Sequence, residues 1–191
     1  MPSEPTLLAF DTSAAHCAAA LFCDGGVVAT RVDEMARGQA EHLMPMLEDF
    51  MSENGKSWSD LTRLGVGTGP GNFTGIRISV SAARGLALGL GIPAIGVSTL
   101  KALHHIHPRE TVAVAAPREM IYAQDPGGAP TLIALTEAPN AVFAHDPSAM
   151  IAALAEVAAE ADAANAERPK PLYIKPADAA PARDTAPVIL P

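Results

Sequence analysis

Residues 7–32 decide the fold, and they read LLAFDTSAAHCAAALFCDGGVVATRV. The apolar run Leu7–Ser13 predicts a first strand that ends in polar residues, and the small, apolar stretch His16–Cys23 predicts a second. Asp24-Gly25-Gly26 is typical of a hairpin turn, because these residues tolerate positive φ. Val27–Val32 returns as a third strand, so we expect the chain to open with a three-stranded antiparallel meander.

Helices and strands alternate after this meander. A period of apolar residues near 3.6 predicts a helix over Ala40–Asn54. The further predicted elements are a strand at Leu64–Gly67, a helix at Ile76–Leu90, a strand at Pro93–Val97 and a short helix that Ser98 caps and that ends near His105. Antiparallel strands followed by α–β units predict a mixed five-stranded α/β sheet with helices on its faces.

The part of the chain after Pro108 is poorer in structural signals. We predict strands at 111–116, 120–124, 131–135 and 172–175, and an Ala-rich helix at 148–166. The residues after Pro176 are rich in Pro and Ala, which predicts an extended tail. We therefore expect an N-terminal lobe over 1–105 and a reduced C-terminal lobe with an extended tail over 106–191.

Composition limits the classes of function. Thirteen basic and 21 acidic residues give a net charge of −8, and the basic residues are scattered, which argues against a protein that grips nucleic acid alone. Cys17 and Cys23 are too far apart along one strand for a disulfide, so we expect buried free thiols. Met1–Pro5 has no basic signal region, and the uncharged run 85–100 is broken by glycines and Pro93. These features predict a cytoplasmic protein without a membrane span.

Two segments could hold an anion. Asp11-Thr12-Ser13 follows the first strand, where a carboxylate and two hydroxyls could hold phosphates through a cation. Thr68–Gly75 (TGPGNFTG) precedes a helix, whose free N–H groups favour negative charge. The alternative is structural: Asp11 caps its turn, and Asn72 or Thr74 caps the helix. The sequence lacks the Gly-Lys-Ser/Thr ending of a Walker A loop.

The histidines do not have the spacing of a metal site. His104, His105 and His107 are adjacent or two to three residues apart, and the sequence holds neither HxxxH nor HExxH. We expect no metal site, no catalytic residues and no required cofactor.

The two helices of the first lobe have unusual faces. The helix at 40–54 has a broad, Met-rich apolar stripe, which suits an adaptable contact surface. The helix at 76–90 retains two interior glycines, each costing about 1 kcal/mol relative to Ala, which suggests that another backbone approaches closely. The alternative is packing on the chain's own sheet. We predict a protein interface formed by both helices.

Four motifs resemble the bacterial TsaB (YeaZ) family. They are LAFDTS at 8–13, EHLMPM at 41–46, GTGPGNFTGIR at 67–77 and IPAIGVS at 92–98; PLYIKPADA at 171–179 looks like the family's closing segment. The resemblance is specific over residues 6–105 and weak over 106–170. It departs at Asn72, where the family usually has Ser, and at Ser79, where it usually has Gly. The family's Val-Ala-x-Asp-Ala-Arg motif lacks its Asp and Arg at Val112–Pro117.

The resemblance implies a fold and a function. The family has an RNase H-like, actin-like fold of two lobes and is taken as the inactive paralogue of the catalytic subunit TsaD. With TsaD and the ATPase TsaE it supports the formation of N6-threonylcarbamoyladenosine at position 37 of tRNAs that read ANN codons, so tRNA would be contacted only through the complex. The family also forms homodimers when alone.

The resemblance also assigns residues. It implies that the helix pair binds TsaD, and we predict these interface residues: His42, Leu43, Met44, Leu47, Met51, Arg77, Val80, Ala83 and Ala87. A vestigial nucleotide or phosphate site would comprise Asp11, Thr12, Ser13, Gly69, Gly71 and Thr74. The alternative function is a stand-alone M22-type metallopeptidase or actin-like ATPase, since older schemes label the superfamily peptidase M22.

Overall fold

A mixed five-stranded sheet forms the centre of the first lobe. A computed structural model describes residues 4–174. The strands of this sheet are β1 (Leu7–Asp11), β2 (His16–Cys23), β3 (Gly26–Glu34), β4 (Arg63–Gly67) and β5 (Ala94–Val97). Their order is β3-β2-β1-β4-β5, with β1–β2 and β2–β3 antiparallel and β1–β4 and β4–β5 parallel. The predicted meander and the five-stranded mixed sheet are confirmed.

Helices cover both faces of this sheet. They are α1 (Gln39–Glu53), α2 (Phe73–Leu90), α3 (Thr99–Ile106) and α4 (Pro147–Glu160). One face packs on α1 and α2, through β1 and β2 residues such as Leu8, Phe10 and Leu21. The opposite face packs on α4, through Leu7, Ala9 and their neighbours. Because successive strand residues point to opposite faces, β1 and β2 are apolar at nearly every position.

A second, smaller sheet follows α3. Its strands are β6 (Val112–Ala116), β7 (Met120–Gln124), β8 (Thr131–Ala134) and β9 (Val142–Phe143), in the order β8-β7-β6-β9. The three longer strands are confirmed, whereas β9, which is only two residues long, was not predicted. The tail after Pro176 lies outside the described residues.

Two helix boundaries differ from the predictions. The helix α2 begins at Phe73 rather than Ile76, because Asn72 caps it with a side-chain oxygen that accepts from the Gly75 N–H at 3.0 Å. The helix α4 ends at Glu160 rather than at residue 166. There Asp162 accepts from the Ala164 N–H and starts a separate 3₁₀ turn.

The predicted strand at 172–175 is wrong over its described part. Residues 172–174 form no strand, although the Leu172 N–H donates to the Thr68 carbonyl at 2.9 Å. Lys175 lies outside the described residues. The helix α4 belongs by sequence to the predicted C-terminal lobe, but it packs on the first sheet.

Candidate functional site

The turn after β1 lies directly against the glycine-rich loop that leads into α2. The Thr12 hydroxyl donates to the Gly75 carbonyl at 2.6 Å, and the Asn72 N–H donates to the Ser13 carbonyl at 2.7 Å. Thr12 and Ser13 are buried. The structure therefore brings together two segments that the sequence predicts separately as anion-binding.

The glycines of this loop are required by the chain's own backbone. A Cβ at Gly71 would lie 2.5 Å from the Ser13 carbonyl oxygen, and a Cβ at Gly75 would collide with the Thr12 carbonyl oxygen. Gly69 has φ of +86°, a conformation that L side chains rarely adopt. The turn after β1 thus occupies the space that Gly71 and Gly75 leave open, while Thr74 stays exposed at the start of α2.

Asp11 caps its own turn, as the structural alternative predicts. Its Oδ2 accepts from the Ser13 N–H at 3.1 Å and from the Ser13 hydroxyl at 2.8 Å. Its Oδ1 is buried, has no hydrogen-bond partner among the described residues and lies against Gly67, where a Cβ would collide with it. His16 Nε2 lies 3.6 Å from Oδ2. One buried oxygen of a partly buried carboxylate is therefore left without a partner among the described residues.

Ser79 also has a structural role. The sequence identifies it as a departure from the family, which usually has glycine there. Its side chain is fully buried, and its hydroxyl donates to the Gly67 carbonyl at 3.2 Å. This hydrogen bond connects α2 to the end of β4, so the departure adds a contact between helix and sheet.

Five of the nine predicted interface residues lie in the chain's own core. They are Leu43, Leu47, Met51, Val80 and Ala83, each at most 3% exposed. Side chains buried to this degree offer almost no surface to a partner, so the described structure does not support these five as contact residues. Their apolar stripe packs on β1 and β2 instead.

The other four predicted interface residues reach the surface. Met44 is 39% exposed, Arg77 is exposed, and His42 and Ala87 are partly exposed. His42 Nε2 lies 2.7 Å from a carboxylate oxygen of Asp33. The bidentate hydrogen bond from Arg31, with a smaller effect from His42, lowers the pKa of Asp33.

An aromatic cluster at the start of α2 was not predicted. The Arg77 guanidinium lies 3.9 Å from the centre of the Phe73 ring, whose centroid is 5.6 Å from that of Tyr173. Arg77 Nε also donates to the Tyr173 hydroxyl at 3.3 Å. Tyr173 lies 96 residues after Arg77, so no local pattern in the sequence indicates this contact.

Metal-binding geometry is absent from the described part of the chain. Within residues 4–174, no group of three or more His, Cys, Asp or Glu side chains could hold a metal ion. His105 pairs with Glu156 at 2.9 Å at the exposed end of α3. Both ring nitrogens of His104 are buried and have no hydrogen-bond partner within residues 4–174. In the same range, no helix is long and apolar enough to cross a bilayer.

Comparison with known proteins identifies the class of fold and the family. Residues 23–134, more than half of the chain, match the family model "TsaD: tRNA N6-adenosine threonylcarbamoyltransferase". A crystal structure from Pseudomonas aeruginosa, described as an uncharacterized protein with similarity to peptidase YEAZ, superposes with a TM-score of 0.69. It is 24% identical and covers 90% of this chain and 100% of its own. The architecture is thus the RNase H-like, actin-like fold.

Several curated relatives match about half of the chain. A protein of Escherichia coli K12 named "tRNA threonylcarbamoyladenosine biosynthesis protein TsaB" is 44% identical over 94 residues, which cover 49% of this chain and 40% of that protein. A protein of Jannaschia named "tRNA N6-adenosine threonylcarbamoyltransferase" is also 44% identical, over 49% of this chain and 25% of its own length. The chain belongs to the family that the TsaD model describes, and several of the relatives it matches are named TsaB. It spans about half or less of the length of the TsaB relatives it matches.

Proposed function

We propose that this chain is a non-catalytic subunit of a bacterial assembly that forms N6-threonylcarbamoyladenosine at position 37 of tRNA. The names of the TsaB relatives support a place in this biosynthesis. They do not favour a stand-alone metallopeptidase or ATPase. A structural role for the chain is supported by the turn after β1, where Thr12 and the neighbouring glycines contact each other rather than an open site. Val112 and Ala113 also stand buried in β6, in the stretch that lacks the family's Asp and Arg.

The proposed mode of action, binding to a partner protein, rests on the surface that α1 and α2 turn away from the sheet. The two helices lie side by side on one face of the sheet. Leu88 of α2 is 84% exposed, and Met44 of α1 is 39% exposed. The exposed surface of α2 also includes Gly85 and Gly89, where an added Cβ would meet no atom of the described residues within 4 Å. Small residues beside exposed apolar ones allow a partner helix to pack closely.

The charges on this face are divided between the helices. The exposed residues of α1 include four acids, Glu41, Glu48, Asp49 and Glu53. The exposed residues of α2 include two arginines, Arg77 and Arg84. A partner with the same pair of helices could therefore place its basic helix on α1 and its acidic helix on α2. A second copy of this chain meets this requirement, and we propose that a paralogue of the same fold, such as TsaD, does so as well.

We propose TsaD as the working partner, with the homodimer formed when the chain is alone and with TsaE joining the assembly. Because the core residues of α1 and α2 are excluded, the contact would be made by Met44, Arg77, Ala87 and Leu88, with His42 at the edge. An interface of standard size buries roughly 1,600 Å² in total. In this proposal tRNA is contacted through the assembly and no cofactor is needed. Asp11, Thr12, Ser13, Gly69, Gly71 and Thr74 are the vestige of a phosphate site that no longer holds a phosphate.

The test uses a variant that leaves the monomer intact. Gly85→Gln adds a long side chain where the monomer has open space, so it should fold normally and yet lose co-purification with the TsaD of the same genome. A matched control, Ala164→Gln, changes an exposed residue beyond α4 and should bind as the original does. Unchanged binding by a folded Gly85→Gln protein would refute this surface. Circular dichroism of each variant establishes that it is folded.

A further inference from the structure

A small cavity lies on the side of the first sheet opposite to the helix pair. It has a volume of about 180 Å³ and lies between β2, α3 and α4. Its walls are mainly apolar, with Ala18, Ala102, Ile151 and Leu154 among the lining residues. Its polar lining residues are Asp11, Ser13, His16, Thr99 and the exposed His145, and Asp11 lies within 4 Å of both Ser13 and His16. An apolar cavity with a few convergent polar groups is typical of a small-molecule site.

The Asp11 carboxylate at the polar end has no permanently charged cation beside it among the lining residues. The Asp11 side chain is 14% exposed, and within residues 4–174 its one ion-pair partner within 4 Å is His16, which is charged only if protonated. Its Oδ2 accepts two hydrogen bonds from Ser13, both neutral. A carboxylate removed from water and lacking a permanent cation is costly, so a bound cation would stabilise it.

The size and charge of the cavity favour an occupant that is smaller than a nucleotide. Ligand pockets for drug-sized molecules are about 300–1,000 Å³, whereas an apolar cavity of about 150 Å³ accommodates benzene. The polar end also presents a carboxylate and no Lys or Arg side chain among its lining residues, which opposes a phosphate. The occupant must therefore be one ring or a short branched chain in size, and its polar group must be a hydrogen-bond donor.

We propose that this cavity binds a small organic ammonium ion, with the ammonium group on the Asp11 carboxylate and the apolar body against α4. The walls from Ala102, Ile151 and Leu154 take the hydrocarbon part. The Ser13 and Thr99 hydroxyls can accept further N–H hydrogen bonds. This assignment is independent of the role proposed for the helix pair.

The first experiment compares two probes of similar shape on the unmodified chain. Benzylamine and benzyl alcohol are titrated at pH 8, and binding is followed by ¹⁵N–¹H NMR shifts. Benzylamine should bind at least about tenfold more tightly than the alcohol, because its hydrogen bond to the carboxylate is charge-assisted. Its shifts should centre on β2, α3 and α4. Equal affinity of the two probes, or no binding of benzylamine up to about 10 mM, would overturn the proposal. ATP that displaces benzylamine would overturn it as well.

Two variants test the position of each end of the ligand. Asp11→Asn keeps an acceptor for Ser13 and should weaken benzylamine binding about tenfold or more, whereas the matched control Asp24→Asn, in an exposed turn, should not change it. Ala144→Leu narrows the exposed mouth and should weaken binding, whereas Ala164→Leu should not. If Asp11→Asn fails to fold, the probe comparison and Ala144→Leu still decide the matter. Unchanged affinity in Ala144→Leu would place the ligand elsewhere and refute the assignment.

Discussion

Two neighbouring positions on α2 allow the orientation of this helix to be tested. Ala83 has no exposed surface and packs in the core beside α1, whereas Gly85 is exposed and has open space around it. We consider the changes Ala83→Gln and Gly85→Ala. They lie two residues apart on one helix, and the structure predicts opposite effects on the free energy of unfolding.

The magnitudes follow from what each new side chain meets. At Gly85 a methyl group meets no atom within 4 Å, so only the helix propensity changes, and Ala is favoured over Gly by about 0.5–1 kcal/mol. For a chain of 191 residues this raises Tm by about 1–4 °C. At Ala83 the amide of Gln would be buried without partners and would overpack the core, at a combined cost of roughly 2–5 kcal/mol.

The assay is urea unfolding of both variants and the original chain, followed by far-ultraviolet circular dichroism. Gly85→Ala should move the midpoint to higher urea and Ala83→Gln should move it lower, both with unchanged slope. If Ala83→Gln cost less than about 0.5 kcal/mol while Gly85→Ala destabilised the chain, α2 would be rotated from the orientation described. The face proposed for partner binding would then also be wrong.

Three further changes test other parts of the structure. Arg63 Nη1 donates to the carbonyls of Ala158, Ala159 and Ala161 at the end of α4, at 2.7–2.9 Å. Arg63→Met should therefore lower the free energy of unfolding, measured in urea, by about 1–3 kcal/mol. Arg63→Lys should recover part of this loss. Gly71→Ala should lower the free energy of unfolding, followed by a thermal melt, by about 1–3 kcal/mol, because its Cβ meets a backbone carbonyl at 2.5 Å. Gly26→Ala should lower it far less, because this Cβ has no neighbour within 4 Å among the described residues. Burial raises the pKa of the Cys17 thiol from 9.0 to about 11. As pH rises, the thiol therefore ionises in the unfolded chain before it does so in the folded chain. Its contribution to the free energy of unfolding is complete below pH 9 and falls as pH rises toward 11. Cys17→Ala should flatten that part of a plot of unfolding free energy against pH.

The strands of the first sheet were predictable because their signals are local. The turn at Asp24–Gly26 fixes the β2–β3 hairpin, and short apolar runs mark β1 and β4. Both cysteines are free and buried, as predicted. The end of α4 was not predictable, because an Ala-rich sequence continues to favour helix beyond Glu160. The helix ends there, and Arg63, which is distant in sequence, donates hydrogen bonds to its last carbonyls.

The candidate interface was predictable as a pair of helices but not residue by residue. An apolar stripe has the same period whether it faces the chain's own sheet or a partner. Leu43, Leu47 and Val80 form such a stripe, and the structure assigns it to the core. Of the residues that do face outward, Gly85 was indicated by its position inside a helix, whereas Leu88 adds nothing to the apolar period that would tell it from a core residue.

The two proposed sites lie on opposite faces of one sheet, so they should act independently. The helix pair packs on the side of β1 and β2 that carries Leu8 and Phe10, whereas the cavity is lined from the side that carries Ala18 and is closed by α4. The intervening strands are hydrogen-bonded to neighbours on both sides, and close-packed sheets of this kind deform little. The affinity of benzylamine should therefore change by less than about twofold when the chain is bound to TsaD. A larger change, measured in the complex, would mean that partner binding moves α3 or α4, because the geometry offers no direct contact between the two sites.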